Sequence, residues 1–561
     1  MPMKYHHPPN WAGGADHSKS LDAAPAWPHK NLSNGVDVAL SAATSSLQHN
    51  SLSRVALPTA FVGPDASAYY NETITTGIVL NNPATQNPAT LAAGGYITNT
   101  TTVHNGDAVY GTTAGAWDFI NYGTIKGKGA NSSGIDLLAG GSVTNGAGGA
   151  ISGAYRGVFI GGGAGTVSNS GVIRGTGAYG VGAYLGGGGT VVNGATISGV
   201  LVGVFATGGA GFVTNSGTVQ GTGKYGTGIY LQDGGAVANL STSAAALISG
   251  GDSGVKILGG AGTVTNSGTI RGSGTYGDGV YLGAGGSVGN AQGGLIEGAA
   301  RGVAMLGSVG TVANYGTITG GGIAGAGAFA YPAGVYLQGA GTIVNGASNA
   351  PTPLIAGVNF GIVMAGSSGL VSNYGTIAGG IGSLGSHVYP VGIYVEGQGV
   401  VVNGAANATT ALISGVNYGI EMATGAAGTV TNFGTIASTA SENLATYVYP
   451  VGIYLQGSGT VINGAPSASS ALISGARAGV KLGGTAGTVS NFGTIRGTGA
   501  YTGEGIYLYA GGRIRNAQSG LISGSRAGIA MSGSIASTVA NLGTISADGG
   551  NAAVYSIGVY M

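Results

Sequence analysis

The acids that could serve catalysis are few and scattered. From Asp107 onward they are Asp107, Asp118, Asp136, Asp233, Asp252, Asp278, Glu297, Glu396, Glu421, Glu442, Glu504 and Asp548. Acid/base work on a glycan needs two carboxylates held roughly 5 to 9.5 Å apart. When the repeats of the chain are aligned, Asp278 and Glu504 share a position otherwise filled by Val181, Thr227, Ala333, Val391 and Val451, so no acid pair stacks there. Asp233 and Asp252, in neighbouring repeats, remain the best candidates for a pair, against the plainer reading of two solvated loop acids. His104 and His387 are many repeats apart, and no histidine has a metal-ligand spacing. Gly-Gly-Xaa-Gly-Xaa-Asp does not recur, so a calcium β-roll lacks its acids. Cysteine is absent, which removes disulfides, thiol catalysis and Cys-ligated zinc. Catalytic residues, a metal site and cofactors are accordingly not expected.

Three segments carry the spacing of a dinucleotide fingerprint: Gly175-Thr-Gly-Ala-Tyr-Gly180, Gly221-Thr-Gly-Lys-Tyr-Gly226 and Gly272-Ser-Gly-Thr-Tyr-Gly277. That fingerprint needs a strand before it and a helix after it, whose N-terminus holds the pyrophosphate. Here a strand follows and the phrase returns at the repeat pitch, which reads as a turn.

Two files of side chains recur instead. At the third place of a Gly-Val-Tyr-Leu phrase stand Phe159, Tyr184, Phe205, Tyr230, Lys256, Tyr281, Ala304, Tyr336, Val363, Tyr394, Glu421, Tyr454, Lys481, Tyr507, Ala530 and Tyr560. Tyrosine thus returns every second repeat, either as a cross-strand stack that stabilises a sheet or as an outward aromatic platform for sugar rings or a partner. A shorter basic file, Lys126, Arg174, Arg271 and Arg496, is broken by Gln220, Thr319, Ala378, Ala437 and Ser546 and reads as a solvated face.

The elements that must carry these files follow from the repeat itself. Gly-Thr-Val-Xaa-Asn-Xaa-Gly-Thr-Ile returns with an Asn marker at 99, 121, 145, 169, 193, 215, 239, 266, 290, 314, 345, 373, 403, 432, 463, 491, 516 and 541, which is 18 markers at intervals of 22 to 31 residues. A period of this size means stacked units rather than a single globular core. In Gly262–Ile270 the alternation of a strand places Val264, Asn266, Gly268 and Ile270 inside and Thr263, Thr265 and Thr269 outside. In Gly279–Leu282 it places Val280 and Leu282 inside and Tyr281 outside. Three short strands per repeat predict an all-β chain, a parallel β-helix of about 18 coils over residues 69–561, roughly 80 to 90 Å long. Residues 1–68 form an irregular leader or cap, holding five of the seven histidines and none of the repeat phrase. The marker Asn residues, Asn169, Asn215, Asn266, Asn314, Asn373, Asn432 and Asn491 among them, read as a structural ladder in which stacked amides bond one another and the backbone.

Coils with Asn-Ser/Tyr/Phe-Gly-Thr-Ile alternate with coils at Asn193, Asn239, Asn290, Asn345, Asn403 and Asn463, so the unit is a pair of coils. From Asn314 to Asn491 the pair lengthens to 59 residues through inserts such as 381–387 and 438–444. Such inserts are expected as loops on one side of the stack, often its binding side.

Composition bounds the partners. Charged residues are 6% of the 561, with net charge +1, which leaves no footprint for gripping nucleic acid. Polar residues interrupt every apolar run well before the 18 or so residues of a membrane-spanning helix. Glycine numbers 120 without a Gly-X-Y triplet, which excludes collagen. No apolar stretch follows Lys4, so no secretion signal is read, and the core-type ending Ile557–Met561 leads us to expect a piece of a longer polypeptide.

The phrases Gly-Gly-Ala-Gly-Thr-Val-Thr-Asn-Ser-Gly-Thr-Ile (259–270) and Gly-Thr-Val-Val-Asn-Gly-Ala-Thr-Ile-Ser-Gly (189–199), with their relatives over about 95–561, resemble the Gly-rich passenger repeats of autotransporter (type V secretion) adhesins. The resemblance implies a right-handed β-helix displayed on the cell surface or released outside the cell. It also implies a non-catalytic role in adhesion, self-association or biofilm contact, with glycans, proteins or the chain itself as partners. The signal peptide and the C-terminal membrane barrel of that family are not found in this sequence. The alternative is a polysaccharide-acting β-helix enzyme of the lyase or tailspike kind.

Overall fold

In a computed structural model of the chain, the described residues are 68–561 apart from 242–245, 322–331, 349–352, 367, 381–389, 424, 426, 442–449, 534 and 550–555. The leader therefore lies outside them up to residue 67. The described residues belong to one unit, Pro64–Met561, and fold as a parallel β-solenoid. Among them, 57 strands fall into three parallel sheets of 19, and each coil contributes one strand to each sheet in turn. Regular helix among the described residues is confined to one turn at Pro83–Gln86 and a 3-10 segment at Val103–Gly106.

One coil explains the rest. Gly262–Asn266 lies in the first sheet, Thr269–Gly272 in the second and Asp278–Leu282 in the third. Each strand pairs in register with its counterparts one coil away. Val264 lies beside Val237 and Val288, Ile270 beside Ile248 and Ile296, and Val280 beside Val255 and Val303. Val264, Ile270, Val280 and Leu282 have no solvent exposure, while Thr263 and Thr265 are exposed and Thr269 is half-buried. β-Branched residues suit these positions because each packs against an identical neighbour above and below. The outcome is one continuous apolar core along the stack. At its first coils the core is filled by Trp117 and Phe119, the Trp117 indole N–H donating to the Thr112 carbonyl at 2.7 Å.

The third sheet departs from simple alternation. Its pairing runs through the first, third, fourth and fifth residues of each strand and skips the second, a glycine. A Cβ on Gly279 would lie 2.7 Å from Ile296 Cγ2 and 2.6 Å from the Gly302 carbonyl oxygen, so this position faces the interior where only hydrogen fits. The strand bends there, and its first and fourth residues both face outward. Asp278 and Tyr281 consequently share one outer surface, as do Val181 and Tyr184, which with Val202 and Phe205 form a small cluster apart from the main core.

One set of extensions lies at the corner between the first and second sheets. In alternate coils the chain between the first and second sheets lengthens to 404–411 and 464–471, each closed by a short antiparallel bridge, Ala405 to Ala408 and Ala465 to Ala468. The expected insert 381–387 lies outside the described residues and falls, in sequence, between second-sheet strand Thr376–Gly379 and third-sheet strand Val391–Val395. Of 438–444, residues 442–444 also lie outside; Ser438 ends a second-sheet strand.

Candidate binding surfaces

From Trp117–Asn121 onward, the asparagine that ends each first-sheet strand turns inward at a corner. From Asn121 to Asn541, 17 side chains form an unbroken chain of amide hydrogen bonds, each Nδ2 donating to Oδ1 of the next coil at 2.7–2.9 Å. The backbone fixes the sense of the chain. The Gly316 N–H donates to Asn314 Oδ1, and Asn314 Nδ2 donates to the Gly316 and Leu354 carbonyls, so neither end of the amide can be exchanged. Asn99 stands apart from this ladder. It follows the second-sheet strand Tyr96–Thr98, and its Nδ2 donates to the Val103 and Asp107 carbonyls; the ladder place in that coil is taken by Leu91.

The tyrosine file is in register from Tyr110 through Asp136 and Phe159 to Tyr560, but from Tyr184 to Tyr507 its rings are partly covered, and four rings of the file stack along the axis. Tyr184 is buried, and Tyr230, Tyr281, Tyr336, Tyr394, Tyr454 and Tyr507 are half-buried. Phe159, Tyr184, Phe205 and Tyr230 form a run with ring centroids 5.1, 4.8 and 5.0 Å apart. The Arg156 guanidinium closes one end, 4.2 Å from the Phe159 ring, and the Lys256 ammonium sits 5.9 Å from Tyr230 and 5.6 Å from Tyr281. Farther along, Glu421 lies between Tyr394 and Tyr454 in register and accepts from Gln456 Nε2 at 2.8 Å; Lys481 is 4.6 Å from the Tyr454 ring. Asp278 and Arg301 make a two-pronged pair at 2.9 Å, with the guanidinium 5.4 Å from the Tyr336 ring. Burial raises the phenol pKa of Tyr184, Tyr230, Tyr336 and Tyr394. The outward file is thus half covered, because first residues of the bent strands pack on tyrosines of the neighbouring coil, Arg301 on Tyr336, Phe360 on Tyr394 and Tyr418 on Tyr454.

Apart from scattered rings such as Tyr69, Phe212, Tyr509 and Tyr560, exposed aromatics recur instead in the Gly-Xaa-Gly-Xaa-Tyr-Gly phrases. These are tight turns from the second sheet to the third: Gly180 N–H donates to the Gly177 carbonyl, Gly226 to Gly223 and Gly277 to Gly274, each at 2.8 Å. Tyr179, Tyr225 and Tyr276 project from them, as Tyr501 does from a related turn. The sequence signal was the fixed tyrosine inside a phrase otherwise made of small residues.

The acids do not converge as the neighbouring coils had promised. Asp233 lies at the third-to-first corner, accepting from Gly208 N–H at 2.7 Å and Thr207 Oγ1 at 3.3 Å. Asp252 lies at the second-to-third corner, 3.2 Å from Lys256 Nζ. Glu504 accepts from Arg526 at 3.0 Å. The basic file is exposed on the second sheet, with Arg271 bridged to Glu297 at 3.3 Å, a surface pair of small energetic weight.

A buried acid pair that sequence spacing missed lies in the first coils. Asp107 accepts from the Ser133 N–H, and its charge acts on the neighbouring buried Asp136. Burial first, then the Asp107 charge, pushes the Asp136 carboxyl up to about 7, with Arg156 opposing. Because the native state keeps a proton that the unfolded chain releases near pH 4, this group's contribution to stability falls as pH rises from about 4 to about 7 and is constant above. The steepest slope is about 1.4 kcal/mol per pH unit. Asp136→Asn is expected to reduce the fall in urea midpoint between pH 5 and 7 and to be more stable than the parent at pH 8. An unchanged slope would contradict the assignment. Glu421, raised to about 7 by burial, adds slope of the same sign, as do Asp107 and Glu396, which burial also raises.

The broadest uniform surface is the outer face of the first sheet. In the 14 strands from Gly141–Asn145 to Gly487–Asn491 the residues that alternate with the buried valine or isoleucine point outward, and every one of them is uncharged: Thr263 and Thr265, Thr342 and Val344, Thr429 and Thr431 are typical. A shallow groove crosses it along Thr342, Leu370, Val400, Thr429, Thr460 and Thr488. Charge appears only at the two bounding strands. Exposed Asp118 stands on Trp117–Asn121, and exposed Arg513 and Arg515 on Gly512–Asn516, fifteen coil steps or about 70 Å away. Among the described residues no group of three or more His, Cys, Asp or Glu is placed to hold a metal ion, and no helix is long and apolar enough to cross a membrane. No protein-family model matches the chain, and neither a curated protein nor a solved structure does.

Proposed function

We propose that this chain is a non-catalytic, self-associating scaffold of the autotransporter-passenger kind, displayed at a cell surface, where contact between copies on facing cells gives adhesion. The observation that carries this reading is the uncharged first-sheet face bounded by Asp118 at one end and by Arg513 and Arg515 at the other. Covering such a face strips water from no ion along 14 coils, so the large ionic desolvation cost is missing, and the Thr and Ser hydroxyls can bond one another across the contact. Two copies meeting with their coil axes antiparallel bring each Asp118 opposite the other copy's Arg513 and Arg515. The two-fold axis then passes between strands Gly286–Asn290 and Gly310–Asn314, whose outward Gly289 and Ala313 let the faces approach. The same pairing sets Leu370 against Ala236 and Ala238, large against small. A parallel pairing would oppose like charges at both ends. The face covers roughly 800 Å² per copy, the size of a standard stable interface.

The test is light scattering of the full chain over a concentration series. The parent is expected to reach a dimer, and Arg513→Glu with Arg515→Glu to weaken association at least tenfold, with an unchanged circular dichroism spectrum. Equal association by parent and variant would refute the reading.

A further inference from the structure

We infer that Tyr179, Tyr225 and Tyr276 form a binding strip for an extended, β-linked polysaccharide. The three rings are 56%, 69% and 52% exposed and stand at the same place in the same turn. The turns occur in every second coil, so the rings repeat at about 10 Å. In an extended β-linked glycan each sugar is flipped relative to the last, and the same face returns every second residue, over a distance matching this spacing. A chain lying along the corner would therefore set the C–H face of alternate sugars on successive rings. Aromatic side chains suit that contact, offering a flat apolar face with a hydroxyl at its tip.

The turns are held before any ligand arrives. Gly177 N–H donates to the Ala154 carbonyl at 2.7 Å, Gly223 to Val200 at 2.8 Å and Gly274 to Gly251 at 2.7 Å, so each ring is tied to the coil below and the spacing is set by the sheet pitch. Little order remains to be imposed on binding. On the intervening coils the corner carries Val200 and Leu201, then Gly251 and Asp252. Polar groups for sugar hydroxyls stand alongside: Lys224, whose ammonium lies 5.2 Å from the Tyr225 ring, and the Asp252 carboxylate. A neutral or sparsely charged polymer fits this mixture, in which the Asp252 carboxylate is already paired with Lys256. The strip lies on a different corner from the first-sheet face, so glycan binding and self-association succeed or fail separately.

The experiment titrates the full chain, held at a concentration where scattering shows a single species, with cellohexaose and chitohexaose, and with maltohexaose as a helical α-linked control. At least one β-linked hexamer is expected to bind about tenfold more tightly than its trimer, because the longer chain reaches all three rings. Tyr225→Ala is expected to weaken binding about fivefold, Tyr225→Phe to restore most of it, and the triple Tyr→Ala variant to abolish it. The exposed rings predict an unchanged unfolding midpoint for all variants. Failure of both β-linked hexamers to bind, equal binding of maltohexaose, or undiminished binding by the triple variant would each overturn the proposal.

Discussion

Replacing Asn314 by alanine is expected to destabilise the coils around it by about 4 kcal/mol. Five hydrogen bonds disappear together: the donation to Asn345 Oδ1, those to the Gly316 and Leu354 carbonyls, and the acceptances from Asn290 Nδ2 and the Gly316 N–H. Asn290, Asn314 and Asn345 have no solvent exposure, so water cannot take over the orphaned partners. An unmet buried group costs about 1–3 kcal/mol, and the amides all point the same way, so each bond polarises the next. Asn314→Asp is expected to be no better, since its second oxygen would face Asn345 Oδ1. The measurement is urea unfolding together with hydrogen exchange of amides in the neighbouring coils, where lost protection should be greatest. Thr311→Ala, exposed on the same strand, should cost less than about 0.5 kcal/mol. Comparable losses for the two variants would mean the ladder is incidental to stability.

Ile270→Asp is the second large effect, on the order of 3 kcal/mol or more. Ile270 is fully buried between Ile248 and Ile296, in a core that is apolar among the described residues and offers no cation to pair with a carboxylate. The adjacent Thr269→Asp, half-buried at the corner rim, should cost well under half as much. Because each coil contacts chiefly its neighbours, the damage is expected as a local loss of protection and not as collapse of the whole stack. Damage from Thr269→Asp equal to that from Ile270→Asp would mean that the second-sheet strand faces the other way.

What the sequence made legible is what the repeat enforces. In Gly262–Ile270 the two-residue alternation and the coil-to-coil identity act together, and Val264, Asn266 and Ile270 are interior as that pattern dictates. The third strand was half legible: Val280 and Leu282 face inward, but the bend at Gly279 turns the first residue outward as well, and a period of two cannot reveal a bend. The degree of covering over Tyr184 or Tyr394 depends on that first residue, so a tyrosine every second coil did not indicate exposure. Asn99 carried the ladder's letter but follows a second-sheet strand, a distinction that only pairing reveals. Neighbouring coil number likewise brought Asp233 and Asp252 together on paper, whereas the turn each occupies puts them at different corners. The Asp107 and Asp136 pair was hidden because Val103–Gly106 lacks the repeat phrase. Tyr179, Tyr225 and Tyr276 were legible as turn residues, and their exposure follows from the tightness of a turn that leaves a large ring nowhere to go but out.

The central claim is that two copies meet antiparallel through the first-sheet face, and mixing two charge-reversed chains tests it most directly. One chain carries Asp118→Arg; the other carries Arg513→Asp with Arg515→Asp. Each alone would oppose like charges at both ends of the pair and should remain monomeric in light scattering at concentrations where the parent is dimeric. Mixed in equal amounts they should form a one-to-one heterodimer. At one end the positive charge introduced into the first chain then faces the two negative charges introduced into the second, and at the other the second chain's unaltered Asp118 faces the first chain's unaltered Arg513 and Arg515. A mixture that stays monomeric, or variants that each self-associate like the parent, would contradict the account.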